Sequence, residues 1–194
     1  MRFSRSGAGY LQRLYYPDVE PALRELDERE LRERILPPLL QALGFVDVRH
    51  RHGPREEGKD LLAWRLSVID THDWIGFVVK RGDLNAQVTS SAGIRTVLHQ
   101  VEQVLDHEVT DPLTSAQSVV RECWVITNGD IPGHAIDEIS STLRRHHLEK
   151  AVRWIDVKTF TRLLSERLPR ELLVQLLALE PTSTKPPAPG GSHG

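Results

Sequence analysis

From Val19 onward apolar residues recur at helical spacing: Leu23, Leu26, Leu31 and Ile35 fall mostly on one face, and Glu and Arg fill the other. Pro21 suits the first turn, where its missing N–H costs nothing. Pro37-Pro38 then interrupts the stripe, because proline restricts the residue before it and cannot donate a helix hydrogen bond. A kink or restart is predicted there, with Leu39, Leu40 and Leu43 carrying the helix to a stop at Gly44. Phe45-Val46-Asp47-Val48-Arg49 alternates instead, and reads as a first strand.

Two more strands are predicted between Gly58 and Lys80. The stretch from Asp60 to Ile69 alternates apolar and polar residues from Ala63 onward, the period of a half-buried strand. Asp70-Thr71-His72-Asp73 is turn-rich, and Trp74-Ile75-Gly76-Phe77-Val78-Val79-Lys80 is an apolar run that ends abruptly in charge, as an interior strand would. An antiparallel return brings the start of one strand opposite the end of the other, so Asp60 and Lys80 are expected to share one sheet edge.

Beyond a polar loop over 85–91, with Ser90 or Ser91 as the expected cap, the stripe Ile94, Val97, Leu98, Val101, Val104, Leu105 predicts a helix. Val109 to Gln117 reads as a loop around Asp111-Pro112, and Cys123 to Thr127 as a buried strand ending in the turn Asn128-Gly129-Asp130. Pro132 opens a helix with Ala135, Ile136, Ile139 and Leu143 inward, and Val152 to Asp156 is a last strand. Phe160, Leu163, Leu164 and Leu168 mark the next helix, and Pro169 opens a final one with Leu172, Leu173, Leu176 and Leu177. Strand, helix, strand, helix implies crossover units, parallel pairing and the α/β class. Residues 1–18 read as an irregular lead-in, 19–179 as the domain, and 180–194 as a Pro/Gly/Ser-rich tail too poor in apolar residues to fold.

Composition narrows the function classes. A formal charge of −2 over 194 residues excludes a globally basic nucleic-acid binder, so any contact with a polyanion must be regional. The basic loop Arg49-His50-Arg51-His52-Gly53-Pro54-Arg55 is one such region, with its histidines read as loop residues. A lone cysteine, Cys123, excludes an internal disulfide and a cysteine zinc site. No apolar run reaches bilayer-spanning length, and the expectation is a soluble, cytoplasmic protein with no membrane partner. There is no Gly-x-Ser-x-Gly elbow and no phosphate-cradling glycine loop before a helix.

Gly58-Lys59-Asp60, a hairpin, and a strand closing on Lys80, followed by Arg81-Gly82-Asp83, resemble the PD-(D/E)xK or restriction-endonuclease-like superfamily, most closely its Mrr-like branch. Leu39-Leu40-Gln41-Ala42-Leu43-Gly44-Phe45 is similar to the ending of that family's first helix. The resemblance implies a mixed central sheet flanked by helices and a metal-dependent DNA endonuclease, with a place in restriction or phage defence. It implies Asp60 as the metal-binding aspartate, Lys80 as the catalytic lysine, and Glu33, by its offset from Gly44, as the helix glutamate. Mg²⁺ or Mn²⁺ would be held by Asp60, Glu33 and the backbone carbonyl of Val79, with Arg51, Arg55 and Arg81 on phosphates. DNA is the implied partner, with a second copy or another subunit beside it. Val78 departs from the pattern, standing where the family has Glu or Gln. That departure keeps a catalytically silent module, binding nucleic acid or a protein, as the alternative.

Overall fold

The computed structural model describes residues 19–50, 61–67, 71–84, 93–111, 115–145 and 147–177, without the side chains of His50, His134 and Glu138. The lead-in, the tail, the basic loop 51–55, Asp60 and the serine cap lie outside the described residues.

Among the described residues five strands form one mixed sheet in the order β1-β2-β3-β6-β7. They are β1 Val46–His50, β2 Leu61–Leu66, β3 His72–Lys80, β6 Glu122–Thr127 and β7 Val152–Ile155. The first three run as an antiparallel meander, and β3, β6 and β7 pair in parallel, as the alternating strands and helices predict. Strand β3 is central, and Trp74 to Lys80 are buried without a break. That is why its sequence reads as a continuous apolar run: both faces are covered.

One face carries α1 Val19–Glu25, α2 Glu28–Glu30, α3 Leu36–Ala42, α6 Val157–Arg167 and α7 Arg170–Leu177, packed around Leu23, Leu31, Ile35, Phe77, Val79 and Phe160. Phe45, Phe77 and Trp124 meet edge to face there, with centroids 5.4–5.6 Å apart. The other face carries α4 Ile94–Leu105 and α5 Gly133–Arg145 over Trp74, Val78, Cys123 and Val125. Gly76 lets α4 lie close, since a Cβ at that position would stand 2.2 Å from Val104 Cγ1.

The predicted restart at Pro37-Pro38 is present, and the structure departs from the sequence expectations at three other places. At Pro37-Pro38 a π-turn over Leu31–Ile35 precedes the prolines, Leu36 N–H donates to the Leu31 carbonyl, and the α-helix restarts at Leu36. The wider turn accommodates two residues that cannot donate to the carbonyls four positions back. Val109 to Gln117 is not all loop, because β4 Glu108–Thr110 and β5 Gln117–Val119 pair as an antiparallel hairpin too short to show a period. His72 and Asp73 belong to β3, where Leu66 pairs with His72. Gly93 is the N-cap of α4, with no side-chain capping bond.

Candidate active site

Lys80 ends the central strand and is only 4% exposed, an unusual place for a lysine. Among the described residues its ion-pair partner is Glu28, with Oε2 3.9 Å from Nζ, too long for a hydrogen bond. Glu28 begins α2, and a capping box sets that start: Asp27 Oδ1 accepts from Glu30 N–H at 2.7 Å, while Glu30 Oε2 accepts from Asp27 N–H at 3.0 Å. The helix acid that the structure brings to Lys80 is thus Glu28. Glu33, within the π-turn, pairs with Arg29 at 3.0 Å and Arg32 at 3.9 Å. An offset counted from Gly44 along a regular helix cannot distinguish the two, because the π-turn changes which residues share a face.

The loop after Lys80 is pinned to the loop after β6. Asn128, 1% exposed, accepts a 2.7 Å bond from Gly82 N–H through Oδ1. Its Nδ2 donates to the carbonyls of Leu23 at 2.7 Å and Leu26 at 2.9 Å, past the end of α1. Thr127 Oγ1 donates to the Gly82 carbonyl and accepts from Gly129 N–H at 3.2 Å. Gly129 must be glycine, since a Cβ would stand 2.1 Å from the Gly82 carbonyl carbon and 2.3 Å from Asp83 N. Outside this backbone knot, Arg24 binds Glu20 at 2.9 Å and Asp130 at 3.0 Å, with Asp83 at 3.8 Å. The hydrogen bond Arg24 donates to Glu20, ahead of the one it donates to Asp130, raises the guanidinium pKa above its usual range.

Of the other predicted site residues, Val79 is buried on the α1/α6 face and Arg81 is exposed. Val78 is 0% exposed and packs on the α4/α5 face. Asp60, Arg51 and Arg55 lie outside the described residues; Leu61, next along from Asp60, pairs with Phe77. Among the described residues no three His, Cys, Asp or Glu side chains cluster as a metal site. The carboxylate of Glu28 and the carbonyl of Val79 are hard oxygen donors of the kind Mg²⁺ takes.

A second polar group sits at the other end of β3. His72 Nδ1 is hydrogen-bonded to Asp111 Oδ2, and the His72 ring stacks on Trp64 with centroids 4.1 Å apart. Sequence reasoning missed Glu28, Asn128 and this pair. Asn128 carried a signal, an Asn-Gly-Asp turn, but that pattern says nothing of which carbonyls the side chain will find.

No family model matches this chain, and no curated protein does. Solved structures are similar to it at low level. The MspJI restriction endonuclease in complex with a 27-mer oligonucleotide has a TM-score of 0.37 and 12% identity over 83% of this chain. The DNA modification-dependent restriction endonuclease AspBHI has a TM-score of 0.40 and 12% identity over 92% of it. This chain spans 32% of the first and 44% of the second.

Proposed function

We propose that this chain is a metal-dependent DNA endonuclease that hydrolyses phosphodiester bonds at the Lys80 end of its central strand, in restriction or phage defence, alone, as a homodimer or with a partner subunit. The observation that carries this reading is a lysine held almost out of water beside a carboxylate that stands off at 3.9 Å. Low local polarity strengthens the pull of such an ammonium on a phosphate.

Glu28, Asp60 and the Val79 carbonyl would hold Mg²⁺ or Mn²⁺, for which one or two carboxylates suffice. When bound, the ion polarises the phosphate and acidifies a coordinated water. Lys80 would balance charge gathering on the phosphate oxygens. Glu33, already paired with Arg29, is the less direct choice of helix acid. Arg81, with Arg51 and Arg55, would contact the backbone and position the duplex.

Nicking of supercoiled plasmid tests this. The wild-type protein should nick in Mg²⁺ or Mn²⁺ and stop when the ion is chelated, and Asp60→Ala, Glu28→Gln and Lys80→Ala should each lower the rate about a hundredfold or more. Wild type and variants equally inert would sink the proposal.

One observation favours a second reading, a silent module on the same sheet that binds nucleic acid or a partner protein. Val78 takes the acidic position of the motif and is fully buried among apolar side chains, so it offers no ligand. Retarded migration of DNA without cleavage, weakening as salt rises, would select this alternative.

A further inference from the structure

We infer that Asn128 is the positioning residue of the Lys80 site: its one amide sets the distance between Glu28 and Lys80. The inference deepens the proposed function and rests on that reading for its catalytic meaning only. The geometry behind it is a bridge. Nδ2 donates to the Leu26 carbonyl, and Leu26 stands two residues before Glu28; Oδ1 accepts from Gly82 N–H, and Gly82 stands two residues after Lys80.

Neither half is replaceable by chance. The amide offers a donor and an acceptor in one rigid plane, so aspartate would keep the Gly82 bond and lose the Leu23 and Leu26 bonds, and alanine would lose both. The Asp27 capping box fixes the chain between Leu26 and Glu28, so a shift at Leu26 carries through to the carboxylate. On the other side, the Thr127 bond to the Gly82 carbonyl ties the same loop a second time. Both polar atoms of the Asn128 side chain are engaged with backbone, which separates positioning from catalysis.

The test reads Lys80 directly and needs no cleavage. Acetylation of the folded protein, resolved by residue with mass spectrometry, compares Lys80 with exposed Lys158, while alkylation of buried Cys123 reports general loosening. Lys80 should react far more slowly than Lys158 in the wild type. In Asn128→Asp and Asn128→Ala it should speed up about tenfold, the scale of one lost buried hydrogen bond, with Cys123 unchanged. If Lys80 keeps its wild-type rate in a folded variant, or Cys123 accelerates in step with it, the inference is overturned.

Should both variants fail to fold, hydrogen exchange of the Gly82 amide in the wild type decides: protection supports the bridge, and exchange at a free-loop rate overturns it. Where the wild type nicks DNA, Asn128→Asp should also raise the Mg²⁺ concentration for half-maximal rate and leave KM for DNA in place, which simple loss of folded protein would not do. A wild type that never cleaves, with Lys80 still released in the variants, would sink the nuclease reading and leave the bridge standing.

Discussion

The two ends of β3 bury polar groups in opposite ways. At its start, His72 and Asp111 hydrogen-bond to each other and His72 stacks on Trp64, which is how folded chains ordinarily accommodate polar side chains they enclose. At its finish, Lys80 is as deeply enclosed as Asp111, each 4% exposed, yet its carboxylate stands 3.9 Å off. The hydrogen bonds nearby, made by the Asn128 and Thr127 side chains, serve the backbone of the surrounding loops instead. Enclosing a charge costs stability, and the chemistry proposed for the Lys80 end would give that cost a reason.

That contrast can be broken from the structural side first. Gly129→Ala drives a methyl into the backbone of Gly82 and Asp83, and should cost about 3 kcal/mol or more in urea unfolding, because backbone cannot step aside as a side-chain tip can. His72→Phe keeps a ring over Trp64 and removes the hydrogen bond to Asp111, so a loss of about 2 kcal/mol is expected by the same measurement. Lys80→Met should do the reverse, leaving the midpoint unchanged or raising it by up to about 1 kcal/mol while abolishing nicking. A clear loss of stability in that variant would make Lys80 a structural residue and erase the difference between the two ends.

The smallest effect is expected at a fully exposed pair. Arg144 hydrogen-bonds Glu149 at 2.9 Å and thereby lowers the pKa of that carboxyl, with the Coulombic attraction of Arg144 and Lys150 adding to it. A depressed folded pKa stabilises above the unfolded value and loses that contribution as pH falls through the folded one. Wild type and Arg144→Ala should therefore differ slightly in Tm at neutral pH and converge in acid below the usual glutamate range.

Much of the fold was legible because its signals are local. The stripes of α1, α4, α5 and α6 and the unbroken apolar run of β3 each report burial within a few neighbouring residues, and the buried sets match them. The hairpin β4-β5 escaped because three-residue strands hold too few repeats to declare a period. The π-turn escaped because two prolines signal an interruption without saying what form it takes.

The candidate site divides along the same line. Lys80 at the end of an interior strand followed from the order of residues alone, since an apolar run closing in charge has little choice about where the charge emerges. Which carboxylate meets it, and what holds the two in place, did not. Glu28 and Asn128 act across the fold, with the Asn128 amide bonding a carbonyl 105 residues earlier in the chain. Periodicity is set by nearest neighbours, whereas such a bond exists only after α1 has docked over the ends of β3 and β6, and docking is a property of the packed whole.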